Sequence, residues 1–433
     1  MGPGMASADV TEQRAYLAPA PGNAVNGTIA WAAGIALRLL VLTSNFIPVG
    51  TLFGVSFRVP LYLLVALLTG LLVLVAPARR ARGPMLYAAA LIGLILLAAL
   101  HGLIGSSIPD IYVLDDTRSY LVTFTIPLLA AILFRLGVVT ARELAISFVQ
   151  GSILYSVLKM ILFGILLSLP DYALTALEAL TVNNVGGGAS VVSGGVARIQ
   201  TGLDFAVLLS CVLLLRSRTP LVPTVLRWPA ILLLGTAVLI TFSRALVALF
   251  VLVALAELFL HARGRTFRYG VTLLITIGVV AAPYMGDLVQ KRLETGRQGD
   301  NTRVPQAKAL LDLWERHPLF GQGLGAYTNI VIRTTNAPYN YELQLHSILT
   351  KIGTIGMLAL MGFAAVALGT STRLTRAGFA WQVSALLAFV FAGATNPYLF
   401  SSAAANVYIA LFVGIGVLGE PGRAGAGARA PQS

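Results

Sequence analysis

His346 is the residue of this sequence whose type and position best suit acid–base chemistry. It stands where a long polar segment meets an apolar stretch, and Ser347, Thr350, Gly353 and Thr354 follow it at near-helical spacing. Such a small, polar stripe lets neighbouring helices approach closely or lines a cavity. Because an imidazole titrates near neutral pH, it can accept a proton from a hydroxyl group. We expect a general base here; the alternative is an interfacial histidine without a catalytic role.

Three arginines could bind an anion beside this histidine. Arg244 ends the sequence Thr241-Phe-Ser-Arg244 between two apolar segments, which places its guanidinium at the expected level of the lipid headgroups. Arg303 opens a helix predicted in the polar segment, where backbone amides and a cation would converge on an anion. Arg198 follows a glycine-rich segment and repeats the theme. A guanidinium matches phosphate oxygens; the alternatives are a snorkelling arginine and two solvated loop residues.

The remaining charged residues in apolar surroundings suggest fewer functions. Lys159 and Lys351 lie within predicted spans, where a charge is costly and either serves function or pairs with a neighbour. Asp115 and Asp116 could hold a divalent ion, but we expect them to cap the span that follows. Glu257 is the one acid that the predicted spans place well inside the membrane. The spacing of histidine, cysteine and carboxylate residues predicts no metal site.

The elements that must position these residues are membrane helices. A span needs about 20 mostly apolar residues, and lipid forces it to be helical because no water satisfies its backbone. The sequence predicts an all-α polytopic membrane protein with about twelve transmembrane helices. The predicted spans are 28–46, 59–77, 84–104, 118–137, 144–168, 201–215, 228–241, 243–262, 268–283, 346–370, 377–395 and 402–419.

Composition and charge agree with this architecture. Of the 433 residues, 57% are hydrophobic and 11% are charged, whereas soluble domains carry about 25% charged residues. Basic residues concentrate in alternate short connections, which the positive-inside rule places in the cytoplasm. The net charge of +13 therefore reflects topology. Membrane lipids are expected partners and nucleic acid is not.

This topology divides the chain into five parts and puts both termini in the cytoplasm. They are a cytoplasmic tail at 1–27, transmembrane helices one to nine at 28–283, a large periplasmic loop at 284–345, transmembrane helices ten to twelve at 346–419 and a second cytoplasmic tail at 420–433. Loops this long without a structure of their own are uncommon and usually functional. The apolar spacing of Leu310 and Trp314 predicts a short helix in this loop, which His317-Pro318 ends. Gly321, Gly323 and Gly325, which follow this helix, predict a flexible turn.

Four pieces of the sequence, in order, resemble bacterial O-antigen ligases and their relatives. They are Thr241-Phe-Ser-Arg244 opening a span, Arg303 ahead of Trp314, Pro318-Leu-Phe-Gly321-Gln-Gly323-Leu-Gly325, and His346-Ser-Ile-Leu-Thr-Lys-Ile-Gly353. Together they cover about 241–356, and the span layout extends the likeness over most of the chain. Many relatives have Asn where this chain has Ser347, which leaves the subfamily open.

The resemblance implies an inverting, metal-independent glycosyltransferase that needs no cofactor. It would move O-antigen polysaccharide from undecaprenyl diphosphate to a sugar hydroxyl of lipid A–core, at the periplasmic face of the bacterial inner membrane. His346 would be the general base, and Arg244, Arg303 and, less securely, Arg198 would bind the diphosphate.

Other functions are compatible with the same layout. An O-antigen or exopolysaccharide polymerase and a protein O-oligosaccharyltransferase belong to the same superfamily. From another class, a secondary transporter would show inverted repeats, broken helices and buried acids. The sequence shows no repeat and only Glu257 as an acid well inside a predicted span, which disfavours transport. A non-enzymatic assembly protein is a further alternative.

Overall fold

The protein is mostly helical in the part of the chain that the computed structural model describes, with two short hairpins and irregular connecting segments. The described residues are 24–47, 51–52, 55–56, 58–75, 78–105, 108–168, 188–192, 196–217, 219–241, 243–261, 303–329, 337–370, 376–394 and 399–413. The helices are α1 Ala24–Phe46, α2 Arg58–Val75, α3 Ala78–Gly105, α4 Asp110–Arg135, α5 Ala141–Ser168, α6 Asp204–Arg216, α7 Thr224–Leu239, α8 Arg244–His261, α9 at 303–316, α10 Gln344–Thr370, α11 Arg376–Ala394 and α12 Ser402–Phe412.

The helices coincide with the predicted spans. Each predicted span has a helix at its position except 268–283, which lies outside the described residues. The helix predicted within the long loop is α9, and it ends before His317 as expected. Between α5 and α6, β3 Gly188–Val192 pairs antiparallel with β4 Val196–Gln200. A smaller hairpin joins β1 Thr51–Leu52 to β2 Val55–Ser56.

Several helices are long and apolar enough to cross a membrane. Within the described ranges six meet this description, namely Gly27–Phe46, Arg58–Val75, Met85–Ile104, Asp110–Arg135, Ala141–Leu166 and Gln344–Ala367. Many large apolar side chains are exposed on these helices, such as Leu74, which is 83% exposed. Such a surface suits lipid and not water. The chain is therefore a multi-pass membrane protein.

Local sequence signals set the helix ends around α4 and α5. Gly137 has φ +75° and follows α4, and the amide of Val138 donates to the carbonyl of Leu133 at 2.9 Å. This is a Schellman motif, in which glycine adopts the left-handed conformation at little cost. Thr140 and Glu143 then cap α5, since each side chain accepts a hydrogen bond from the other's backbone amide.

The core of the bundle surrounds α6. Every residue of α6 from Asp204 to Leu214 is buried, which is the pattern of a helix enclosed on all sides. The largest buried cluster joins it to α1, α5 and α12 through side chains that include Leu40, Phe148 and Val407. A smaller cluster joins α3, α4 and α10 through Val113, Leu324 and Ile348. This second cluster lies beside the candidate site.

Candidate active site

His346 lies in the first turn of α10, where the sequence predicted it. Its side chain is half-buried, and its Nδ1 atom is buried without a hydrogen-bond partner among the described residues. The backbone carbonyl of His346 accepts a hydrogen bond from Thr350 Oγ1 at 2.9 Å. Thr350 Oγ1 also donates to the carbonyl of Leu310 in α9 at 3.0 Å. The polar stripe thus brings a second helix close to the histidine, which is one of its two predicted roles.

The loop helix α9 is fastened to the segment that leads into His346. Arg303 Nε, in the first turn of α9, donates to Glu342 Oε2 at 2.9 Å. Three residues on, Gln306 Oε1 accepts from the amide of Leu343 at 3.3 Å. Leu310 then packs in a buried cluster that includes Leu343. These contacts place Arg303 beside Glu342, four residues before His346 in the chain.

For the other two arginines, Arg244 and Arg198, the structure describes the backbone but not the side chain. Arg244 is the first residue of α8, directly after a short connection in which Thr241 Oγ1 accepts from the amide of Ser243 at 3.0 Å. Arg198 lies in β4, opposite Ser190 of β3. Both side chains lie outside the described residues, so the predicted meeting of these arginines with Arg303 and His346 stays a prediction.

Helix α10 is broken at Gly353, two turns after His346. Gly353 has φ +66° and ψ −174°, a conformation that is essentially restricted to glycine. A Cβ atom there would lie 2.3 Å from the carbonyl oxygen of Leu319. The break frees backbone groups on both sides of it, and such groups are costly inside a membrane unless the protein satisfies them.

The glycine turn fills this break. The amides of Gln322 and Gly323 donate to the carbonyls of Thr350 and Lys351, each at 2.9 Å. From the other side, the amides of residues 354 and 355 donate to the carbonyls of 318 and 319, at 2.9 and 3.1 Å. Residue 324 is in turn bonded to the carbonyl of Ala98 in α3 at 3.1 Å.

The sequence predicted that the glycines at 321–325 make a flexible turn. The structure gives a different reason for them. The glycines are needed because backbone approaches backbone: a Cβ atom on Gly321 would lie 2.5 Å from the carbonyl of Lys351, and one on Gly323 would lie 2.3 Å from Gly102. His101 of α3 is exposed, and its Nε2 lies 3.1 Å from the carbonyl oxygen of Gly321.

A buried ion pair closes the same region from the side of α4. Lys351 Nζ lies 2.8 Å from Asp116 Oδ2, and the two side chains are 4% and 6% exposed. Asp116 Oδ2 also accepts from the amide of Gly325 at 2.8 Å. Lys351 Nζ donates to the carbonyl of Tyr339 at 3.1 Å. One pair of charges thus joins α4, α10 and two segments, 324–328 and 337–343, of the chain between α9 and α10.

A second buried pair lies deeper in the bundle. Lys159 Nζ of α5 is 2.7 Å from Asp204 Oδ1 of α6, and both side chains are essentially unexposed. Asp204 also accepts from the hydroxyl of Tyr155 at 3.1 Å and from the amide of Thr201 at 2.8 Å. Because Thr201 directly follows β4, this pair anchors the end of the hairpin that carries Arg198. Lys159 and Lys351 are both paired with neighbours, which was one of the two predicted outcomes.

Two sequence-based expectations about acids need correction. Asp115 and Asp116 do not cap a span, because α4 begins at Asp110 and both lie inside it. Glu257 is not the one acid within the spans, since Asp116 and Asp204 are buried in helices. Pro109 directly before an acidic first turn is a helix-start signal that could have revealed the longer α4.

The buried acids and the broken helix also remove part of the sequence argument against a transporter. Both features are present, but in the described part of the chain each is satisfied internally. Asp116 and Asp204 each face a lysine, and the freed groups of α10 bond to the glycine turn. Among the described residues, no group of three or more histidine, cysteine, aspartate and glutamate residues could hold a metal ion.

Comparison with known proteins bears on the segment that contains this site. The family model described as O-antigen ligase matches residues 229–361, which span α8, the long loop and the broken part of α10. A search of curated proteins found no match. The matched segment includes Arg244, Arg303 and His346, and it encloses the four pieces on which the resemblance was based. Residues 229–361 are therefore similar to the O-antigen ligase family, in agreement with the resemblance seen in the sequence.

Proposed function

We propose that the protein is an O-antigen ligase, which transfers O-antigen polysaccharide from undecaprenyl diphosphate to lipid A–core. The family implies a glycosyltransferase-like activity on a lipid-linked glycan. The observation that carries our proposal of His346 as the general base is that its buried Nδ1 has no hydrogen-bond partner among the described residues. An unsatisfied polar atom in a native structure calls for an explanation, and a substrate hydroxyl supplies one.

The reaction is a single displacement at the anomeric carbon of the donor sugar. His346 accepts the proton of the acceptor hydroxyl, whose oxygen forms the new glycosidic bond. The bond between the anomeric carbon and the diphosphate oxygen breaks, and its electron pair leaves with the lipid diphosphate. Attack from the opposite side inverts the anomeric configuration. General-base assistance of this kind is worth about 10²–10⁴-fold.

In this scheme we propose that Arg303 stabilises the leaving group. It lies in the first turn of α9, where backbone amides add to its positive charge. Its contact with Glu342 links it to the start of α10. Arg244 opens α8 and Arg198 lies in β4, and we propose that both converge on the same diphosphate. Arginine side chains held in fixed positions can stabilise the negative charge that develops on the leaving diphosphate, so the scheme needs no metal ion.

A purified assay with a lipid-linked glycan tests this proposal. Wild-type protein in nanodiscs would be offered rough lipopolysaccharide and repeat-unit acceptors side by side. We expect transfer to lipopolysaccharide; product formed on repeat units alone would identify a polymerase instead. His346→Ala should reduce transfer by at least about 100-fold while donor binding is retained.

The matched control is His317→Ala, because His317 is an exposed histidine that directly follows α9 in the chain between α9 and α10. We expect this variant to keep wild-type activity. Full activity in His346→Ala would remove the proposed base. Equal losses in both variants would mean that the effect is not specific to the site.

A further inference from the structure

Three tyrosines form a cluster beside the candidate site. The ring of Tyr112, in the first turn of α4, meets the ring of Tyr327 edge to face with centroids 5.6 Å apart. It also meets the ring of Tyr339 at a centroid distance of 5.9 Å and a tilt of 49°. The three residues come from three separate segments of the chain, which only the fold brings together.

The cluster has unused contact groups. Each of the three rings is partly exposed. Among the described residues, none hydrogen-bonds to the phenolic oxygen of Tyr112, Tyr327 or Tyr339. Burial, with the charges of Asp115 and Asp116 adding to it, raises the pKa of Tyr339 to about 12, so its hydroxyl remains a donor at neutral pH. The side chain of Asp115 is exposed nearby and can accept hydrogen bonds.

The backbone beneath the cluster is closely packed. Gly325, two residues before Tyr327, approaches α4 so closely that a Cβ atom on it would lie 2.9 Å from the carbonyl carbon of Tyr112. Lys351 Nζ bonds to the carbonyl of Tyr339 and lies 5.4 Å from the centre of its ring. The buried Lys351–Asp116 pair therefore supports the cluster from below and leaves its outer side open.

The cluster is also close to the catalytic histidine along α10. His346 and Lys351 are separated by five residues, which corresponds to about 7.5 Å along a helix axis. Because Lys351 contacts Tyr339, the cluster and His346 lie at the same end of α10. This axial separation is about the length of one or two sugar rings, although five residues also turn the two side chains to different faces of the helix.

We propose that Tyr112, Tyr327 and Tyr339, with Asp115, form a saccharide subsite that binds a pyranose ring next to the reacting sugar. This inference rests on the proposed function and names a binding site within it. The apolar C–H face of a sugar packs on an aromatic face, and its hydroxyls bond to phenol and carboxylate groups. The sugar could belong to the acceptor or to the donor glycan, and the two share this chemistry.

Binding of lipid-free oligosaccharides tests the subsite without requiring transfer. The full-length protein in nanodiscs would be titrated with two probes, core oligosaccharide released from rough lipopolysaccharide and a repeat-unit oligosaccharide, and followed by saturation-transfer NMR. We expect Tyr112→Ala and Tyr327→Ala to weaken binding of one probe about tenfold, which corresponds to about 1.4 kcal/mol. Tyr112→Phe should lose less, because it keeps the ring. The probe that is affected names the source of the sugar.

Tyr62→Ala is the matched control, since Tyr62 is a half-buried tyrosine of α2 that packs against the main core. It should leave binding of both probes unchanged. Unchanged affinity for both probes in the Tyr112 and Tyr327 variants would overturn the subsite. So would a lowered thermal stability with wild-type affinity, which would show that the cluster serves only packing. Full transfer activity in His346→Ala with lost binding in Tyr112→Ala would refute the catalytic proposal and leave the subsite standing.

Discussion

The buried pair of Asp116 and Lys351 offers a quantitative test of what holds the site together. Both side chains are almost wholly enclosed, so solvent screens their interaction little. Asp116→Ala removes the partner of a buried cation and also the acceptor of the Gly325 amide. Asp116→Asn removes the charge but keeps an acceptor oxygen for that amide. Lys351→Met keeps the length of the side chain and leaves a buried carboxylate without its cation.

The expected magnitudes follow from these roles. Breaking a buried ion pair by removing one partner costs about 3–5 kcal/mol. Orphaning a buried amide costs about 1–3 kcal/mol more. Asp116→Ala should therefore destabilise the protein more than Asp116→Asn does. The double variant Asp116→Asn/Lys351→Met replaces the ion pair with a neutral pair of similar volume, and should lie within about 1 kcal/mol of wild type.

The measurement is a double-mutant cycle of unfolding free energies in mixed micelles, with glycosyl transfer assayed on each variant. Because each single variant costs about 3–5 kcal/mol and the double variant is close to wild type, we expect a coupling energy of about 6–10 kcal/mol in magnitude. Arg38→Met serves as the control, because Arg38 and Glu143 form an ion pair whose side chains are 37% and 40% exposed; it should cost less than about 1 kcal/mol. A coupling energy near zero between Asp116 and Lys351 would refute the reasoning.

Three further predictions concern the helix break, the loop arginine and metal dependence. Gly353→Ala should abolish transfer and lower thermal stability, because its Cβ atom would collide with the carbonyl of Leu319; wild-type melting would contradict this. Arg303→Ala should raise the KM for the lipid-linked donor, whereas Glu342→Gln should not, since a half-exposed ion pair adds about 0–1 kcal/mol. Equal effects of the two would mean that Arg303 serves only to hold Glu342. Activity should survive a chelator in the purified assay; loss that a divalent ion restores would refute the metal-free scheme.

Much of the helical framework could be predicted from the sequence because its causes are local. A span is an apolar stretch of fixed length. The capping pair of Thr140 and Glu143, and Gly137 at the end of α4, each act within a few residues. His346 could be placed in the first turn of a helix for the same reason. The start of α4 was misjudged because Asp115 and Asp116 were expected to cap the span that follows them, whereas both lie inside the helix and Lys351 of another helix pairs with Asp116.

The sequence by itself determined that this chain crosses a membrane and which family it resembles, and it is the source of the residues that we propose for the chemistry. Only the tertiary structure decided how those residues are held. The pairing of Asp116 with Lys351 spans more than 200 positions, and Gly321 fits into the break at Gly353 because two backbones meet there. In lipid every freed backbone group and every charge must find its partner within the protein. That partner is chosen by the packing of distant segments, which no local pattern in the sequence records.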